Sequence, residues 1–199
     1  MKVIGVTGGV GSGKSTLLDR IEDKFAACVL KADDLANELK EPGGSCYGPV
    51  IELLGEGILE DAREGAPRRI DNRKMAARIF AEPELLGAVN DIIHPAVRKE
   101  ILKRIESCRQ EGKTDYFFLE AALLLEGGYD RIVDEMWYIY ADEASRIRRL
   151  QEGRGYTPQK SRSIIEKQLN EEQYRQGCDV VIDNSGELEE TIRQVERVL

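Results

Sequence analysis

The fold is decided by the stretch Val3-Ile4-Gly5-Val6-Thr7-Gly8-Gly9-Val10-Gly11-Ser12-Gly13-Lys14-Ser15 near the start of the chain. Residues 3–7 are mostly apolar and do not alternate with polar residues, which predicts a β-strand buried on both faces. Residues 8–15 fit the pattern G-x-x-x-x-G-K-[ST], and the apolar residues after them recur at helical spacing: Leu17, Leu18, Ile21 and Phe25. A strand, a glycine-rich turn and a helix in this order predict a phosphate-binding loop.

In such a loop the glycines allow successive N–H groups to turn inward toward a phosphate, and the following helix adds its positive end. Lys14 would contact the β- and γ-phosphates of ATP, and the hydroxyl of Ser15 would bind Mg²⁺. An incidental Lys-Ser pair in a structural turn is disfavoured, because the spacing and both flanking elements fit. The candidate nucleotide-binding residues are Gly9, Val10, Gly11, Ser12, Gly13, Lys14, Ser15 and Thr16.

Outward from this loop, short apolar runs alternate with amphipathic segments, which is the pattern of a parallel sheet covered by helices. We expect an α/β fold in three layers, the P-loop NTPase fold, with a five-stranded parallel sheet. The remaining strands are predicted at residues 28–30, 116–119, 136–140 and 180–182. Helices of this core are predicted at residues 34–39, 142–152, 158–169 and 187–199.

A helical insert is predicted between the second and third strands, because residues 45–112 show helical periodicity without a convincing strand. Asp71 is the expected N-cap of one helix of the insert, and Pro95 the expected first residue of another. The chain is then a single domain whose core comprises residues 1–44 and 113–199.

Two acidic residues follow predicted strands, where open α/β sheets bind their ligands. The carboxylate of Asp33 could accept the proton of a hydroxyl that attacks a phosphate. Taken alone, however, its position before a helical stretch favours a helix N-cap. Glu120 ends the third strand and could hold Mg²⁺ through water.

Four arginines follow the fourth strand, at positions 146, 148, 149 and 154. Cations on a mobile segment stabilise the charge of a transferring phosphoryl group. Helical periodicity alone favours a solvated face for Arg146 and Arg148. Arg154 lies between two glycines, and a solvated helix face explains it less well.

The composition excludes several classes of protein. Lys and Arg number 29 against 37 Asp and Glu, and the net charge of −8 disfavours nucleic acids and anionic membranes as partners. The four cysteines are widely scattered, which argues against structural zinc and a disulfide framework. We find neither a membrane-spanning apolar run nor a signal peptide, and expect a cytoplasmic protein.

Together these segments resemble the dephospho-CoA kinase family, whose fold is related to that of the nucleoside-monophosphate kinases. The first and last of the matching segments are the most specific. The segments that carry the resemblance are residues 5–16, Ala32-Asp33, Ile79-Phe80, His94-Pro95, Leu123-Leu124-x-Glu126, Arg149 with Arg154, Gln168, and residues 179–184 followed by Gly186.

The resemblance implies that ATP, with Mg²⁺, phosphorylates the 3′-hydroxyl of the dephospho-CoA ribose, the last step of coenzyme A synthesis. It implies that Asp33 is the catalytic base and that Arg149 and Arg154 belong to a lid at about residues 146–176. Lys14 and these arginines would neutralise the phosphate charge, and the loop at Asn184 would lie near the ATP base. The insert would help to bind the acceptor, and the protein would act as a monomer or small homo-oligomer. The acceptor-binding candidates are Arg73, His94, Leu123 and Glu126. Taken alone, His94 is better explained as a helix-capping or core residue.

The sequence departs from the family pattern at several positions. Lys31 replaces the first carboxylate of an Asp-Ala-Asp segment, Ala122 replaces a proline, and Asn72 replaces an arginine, although Arg73 is adjacent. Two other functions remain open: a P-loop kinase that acts on a nucleoside or nucleotide, and a non-catalytic ATP-binding protein. The His-Pro pair and residues 179–184 argue against the first, and Asp33 with the arginine-rich segment argues against the second.

Overall fold

A parallel sheet organises the computed structural model, which describes residues 1–61, 65–121, 124–125 and 128–199. Its strands pair in the order β2-β3-β1-β4-β5, and all their pairings are parallel. Every strand predicted from the sequence is present, which confirms the α/β fold class. The strands are β1 (Lys2–Thr7), β2 (Ala27–Lys31), β3 (Tyr116–Glu120), β4 (Glu135–Tyr140) and β5 (Val180–Asp183).

At β1 the connections change sides of the sheet: β2 and β3 lie on one side of β1, and β4 and β5 lie on the other. The chain passes from β1 to β2 at one edge, β3 fills the gap between them, and β4 and β5 extend the sheet on the other side of β1. Ligands of open α/β sheets bind outside the carboxyl ends of the strands at such a point. The glycine-rich loop lies at this position, directly after β1.

Helices connect the strands, with short 3₁₀ turns at Glu56–Ile58 and Tyr129–Arg131. Within the described ranges, no helix is both long enough and apolar enough to cross a membrane. The helices are α1 (Lys14–Lys24), α2 (Ala32–Lys40), α3 (Tyr47–Leu54), α4 (Asn72–Ala81), α5 (Leu85–Glu111), α6 (Glu143–Arg154), α7 (Pro158–Ile165), α8 (Glu171–Gln176) and α9 (Leu188–Val198).

The chain forms two compact units. Unit 1 comprises Met1–Lys31 and Ile105–Leu199, and unit 2 comprises Ala32–Arg104. The core of unit 1 joins the sheet to α1 and α9, and its fully buried Trp137 packs edge-to-face on Phe118 at a centroid distance of 5.5 Å. Unit 2 has its own apolar core, formed by Cys46, Val50, Leu54, Ile58, Met75 and Val89.

The predicted insert of residues 45–112 overlaps unit 2 without coinciding with it. Asp71 caps α4 as expected, since its side chain accepts hydrogen bonds from the N–H groups of Arg73 and Lys74. The prediction that Pro95 begins a helix is wrong, because α5 runs through it. A proline inside a helix costs about 3 kcal/mol. Apolar side chains on both sides of it, Val89 and Val97, are buried, and this packing keeps the helix continuous.

The predicted helix at residues 158–169 is shorter, because α7 ends at Ile165. The sequence reasoning missed α8, which begins after Asn170. Asn170 and Gln173 form a reciprocal capping box there, with each side chain accepting from the other residue's N–H. This local cap explains why so short a helix forms.

Candidate nucleotide site

The glycine-rich loop ends at Gly13, where the backbone is left-handed with φ of 85°. A side chain there would be strained, and its Cβ would collide with the Asn184 side-chain amide. Glycine at this position therefore allows the loop to approach the segment after β5 closely.

Two side chains hold the carbonyl group of Ser12 from outside the loop. The Asn184 amide nitrogen Nδ2 donates to it at 2.7 Å, and Arg149 Nη1 donates at 3.1 Å. Arg149 Nη2 also donates to the Asn184 carbonyl at 2.7 Å. The buried Asn184 is held in turn by Thr191, whose hydroxyl donates to Oδ1 at 2.9 Å. The loop is thus fastened to α6 and to the end of β5.

The amino-terminal end of α1 is open to an anion. Its N-cap residue is Gly13, which has no side chain that could cap the helix, and the N–H groups of its first turn have no intrahelical acceptor, as in any α-helix. The Ser12 hydroxyl, buried beside it, has no hydrogen-bond partner within the described ranges. Lys14 Nζ folds over the loop and donates to the Gly8 carbonyl at 2.7 Å. Backbone N–H groups at the start of a helix, together with a lysine, fit the phosphates of a nucleotide.

A cavity of about 270 Å³ adjoins this end of the helix. Its wall combines glycine backbone with a hydroxyl, an amide, a guanidinium and one aliphatic side chain. The lining residues are Gly11, Gly13, Thr16, Arg149, Asn184 and Leu188.

The residues predicted to hold Mg²⁺ supply oxygen donors, which this cation prefers. Ser15 is exposed in the first turn of α1. Glu120 is the last residue of β3 and pairs in register with Val6, just before the loop. This donor set fits a magnesium ion that keeps most of its ligands as water and phosphate oxygens.

Comparison with known proteins identifies the family. The family model described as dephospho-CoA kinase matches residues 2–190. A dephospho-CoA kinase from Corynebacterium diphtheriae is 39% identical over 186 residues, which are 94% of this chain and 90% of the relative. The chain belongs to the dephospho-CoA kinase family.

Membership of this kinase family extends over the full length of the chain. A dephospho-CoA kinase from Carboxydothermus hydrogenoformans is 35% identical over 199 residues, which cover 100% of this chain and 93% of the relative. The solved dephospho-CoA kinase from Campylobacter jejuni has a TM-score of 0.71 at 19% identity and covers 100% and 98% of the two chains. That similarity shows a shared fold.

The predicted acceptor-side residues lie in unit 2, apart from two that fall outside the described residues, Leu123 and Glu126. Asp33 is exposed in the first turn of α2, which begins at Ala32, so it does not precede the helix as an N-cap would. Arg73 is exposed on α4. His94 is exposed in the middle of α5, and therefore neither caps that helix nor belongs to a core.

Of the two predicted lid arginines, the structure brings Arg149 to the loop. Arg154 is exposed at the last position of α6. Residues five positions apart face different sides of a helix, because each residue adds about 100°. Arg149 and Arg154 therefore do not point to the same place.

Sequence reasoning missed Arg146, which it assigned to a solvated face. Arg146 is partly buried, and its Nε donates to the Val10 carbonyl at 2.9 Å. A signal was available in the spacing, because Arg146 and Arg149 are three residues apart and share a helix face. Arg148 points elsewhere and is exposed, as expected.

Proposed function

We propose that this chain transfers the γ-phosphoryl group of ATP to the 3′-hydroxyl of the dephospho-CoA ribose and so forms coenzyme A. The observation that carries the proposal is the uncapped end of α1, with the unpartnered Ser12 hydroxyl and the Arg149 guanidinium beside it. Full-length membership of the dephospho-CoA kinase family supports the choice of acceptor.

Catalysis here is chiefly positioning and charge stabilisation, because phosphoryl transfer spreads negative charge over the transferred group. The first-turn N–H groups of α1, Lys14 and Arg149 supply local positive charge in a chain whose net charge is −8. Arg154 faces another side of α6, and it is proposed to add its charge when the lid segment closes over the nucleotide. Ser15 and Glu120 would hold Mg²⁺, which would supply positive charge to the phosphates.

The cavity beside Asn184 and Leu188 is proposed to receive the adenine base of ATP. Its volume of about 270 Å³ and its mixed polar and aliphatic wall suit a flat heterocycle with hydrogen-bonding edges. Asp33 is proposed to orient and deprotonate the acceptor hydroxyl, and Arg73, His94, Leu123 and Glu126 to bind the acceptor. We propose that the enzyme acts in the cytosol as a monomer or small homo-oligomer.

The test incubates purified protein with ATP, Mg²⁺ and dephospho-CoA and follows coenzyme A by mass spectrometry. Removal of a general base lowers the rate by roughly 10²–10⁴-fold, so Asp33→Asn should lower kcat by that factor. Asp34→Asn is the matched control, because Asp34 is the neighbouring exposed carboxylate in the same helical turn. The control should keep nearly full activity.

A panel of nucleosides and nucleotides as acceptors separates the rival functions. Rapid phosphorylation of a nucleoside without turnover of dephospho-CoA would identify a different small-molecule kinase. Tight ATP binding without turnover of any acceptor would identify a non-catalytic ATP-binding protein.

A further inference from the structure

Val10, in the middle of the phosphate-binding loop, is held by two side chains that are distant from it in sequence. The N–H group of Val10 donates to Gln168 Oε1 at 2.9 Å, and the carbonyl group of Val10 accepts from Arg146 Nε at 2.9 Å. Both polar backbone groups of this loop residue are therefore satisfied without a ligand.

The two side chains also bond to each other. Arg146 Nη2 donates to Gln168 Oε1 at 2.8 Å, so this one oxygen accepts from the loop and from the arginine. Together the three hydrogen bonds join Val10, Arg146 and Gln168 in a closed ring. We call the two side chains the Arg146–Gln168 clamp.

The surroundings of Arg146 separate it from an ordinary surface arginine. Burial lowers the pKa of its guanidinium from the usual value, an effect that the negative potential of nearby Tyr138 opposes. No carboxylate forms an ion pair with it within the described ranges, although surface arginines such as Arg162 have one. The Arg146 guanidinium instead packs against the loop, so closely that a Cβ atom at Gly9 would collide with it.

The clamp determines which N–H groups of the loop face a phosphate. Because the Val10 N–H is bonded to Gln168, it does not donate to a phosphate while that hydrogen bond is kept. Two bonds to Val10 also restrict rotation of the peptide groups on either side of it. A loop that already has its bound shape loses less conformational freedom when ligand arrives, which raises affinity.

We propose that Arg146 and Gln168 are positioning residues that hold the phosphate-binding loop in its nucleotide-ready shape. They act through Val10, so their loss weakens nucleotide binding more than it affects the acceptor or the chemical step. The proposal rests on the proposed function only in taking an adenine nucleotide as the ligand of the loop.

The test measures equilibrium binding of ADP by calorimetry, without an acceptor, so it stays valid even if no coenzyme A is formed. Arg146→Ala and Gln168→Met should each raise the Kd for ADP about tenfold. The double variant should be no worse than the poorer single variant, because either change opens the ring. Arg148→Ala, on the exposed side of the same helix, is the control and should leave the Kd unchanged.

Gln168→Glu tests whether the Gln168 side chain acts through its hydrogen bonds to the loop or only by filling space. Its carboxylate retains an oxygen that accepts from both Val10 and Arg146, so its Kd for ADP should stay within about threefold of the wild type. Gln168→Met has a similar size but lacks that acceptor. Equal effects of the two substitutions would show that the side chain only fills space and would overturn the proposal.

Stability and acceptor binding are measured on the same variants. The thermal midpoints without nucleotide should lie within about 5 °C of the wild type, so that all variants are folded when they bind ADP. The KM for the phosphoryl acceptor should change less than the Kd for ADP. Unchanged ADP binding in both Arg146→Ala and Gln168→Met, or equal losses for nucleotide and acceptor, would refute the clamp.

Discussion

Gly9 lies so close to the Arg146 guanidinium that the loop leaves no room there for a side chain. A methyl group there would meet the end of a flexible side chain and push it away. Gly9→Ala should therefore open the clamp and raise the KM for ATP about tenfold, with a small change in kcat. Steady-state kinetics at saturating acceptor measure both constants.

The Arg146→Ala background tests the cause of the Gly9→Ala effect. If the added methyl group acts by displacing the guanidinium, Gly9→Ala has little further effect once that side chain is gone. Additive losses in the double variant would instead show that the methyl group obstructs the nucleotide directly.

Lys31 places a cation near the predicted magnesium site. Its ammonium group lies 2.7 Å from Oδ1 of Asp19, which is one helical turn after Ser15 on α1. Lys31→Ala removes a cation that competes with Mg²⁺ for this negative region, so activity should reach half its maximum at several-fold lower Mg²⁺. The measurement is a Mg²⁺ titration of the initial rate at fixed ATP.

Asp19→Asn serves as the opposite change, because it leaves the cation and removes its counter-charge. The Mg²⁺ requirement should then rise. Asp19 is largely exposed, so breaking this pair should change the free energy of unfolding by less than about 1 kcal/mol. Shifts of the same sign in both variants would contradict the electrostatic explanation.

At the scale of elements, the cap of α6 matters because this helix carries Arg146 and Arg149. Oδ1 of Asp142 accepts from the Ser145 N–H at 2.8 Å, and Oδ2 accepts from the Ser145 hydroxyl at 2.9 Å. Asp142→Ala should lower the free energy of unfolding by about 1 kcal/mol in urea titrations, whereas Asp142→Asn keeps most of the cap.

The same cap predicts a pH dependence. The Ser145 N–H and then the Ser145 hydroxyl lower the pKa of the Asp142 carboxyl in the folded protein. Its stabilisation is therefore present above the unfolded pKa of about 4 and is lost as pH falls through the lower folded value. The stability difference between wild type and Asp142→Asn should shrink over that interval. A difference independent of pH would exclude the charged cap.

Helix α5 shows how tertiary packing changes a boundary that local signals predict. Pro95 is well suited to the first turn of a helix, and this local signal led to the prediction that the helix begins there. The buried Val89 explains the earlier start, because it packs in the core of unit 2 only when residues 85–94 are helical. Sequence periodicity found the helix, but packing determined its start.

At the scale of the whole molecule, Trp137 reports on the unit that holds the proposed nucleotide site. It is the only tryptophan of the chain and is fully buried in the core of unit 1. ADP at 100 times its Kd should add about 2.7 kcal/mol to the free energy of unfolding followed by tryptophan fluorescence. Lys14→Ala should weaken ADP binding and reduce this shift at the same ADP concentration.

Helical circular dichroism provides the comparison, because unit 2 is helical and contributes to that signal. Coincident fluorescence and dichroism transitions, both raised by ADP, are expected if the two units unfold together. No change of the fluorescence midpoint at saturating ADP would contradict the nucleotide site in unit 1.

The sequence by itself determined the strands, the glycine-rich loop and most helices, because apolar periodicity and the spacing of glycine, lysine and serine are local properties. Tertiary structure alone decided that Arg146 and Gln168 hold the loop. The Val10–Gln168 hydrogen bond joins residues 158 positions apart, and the Val10–Arg146 bond joins residues 136 apart. Such contacts depend on how α6 and the segment after α7 pack against the loop, and local sequence patterns do not encode that packing.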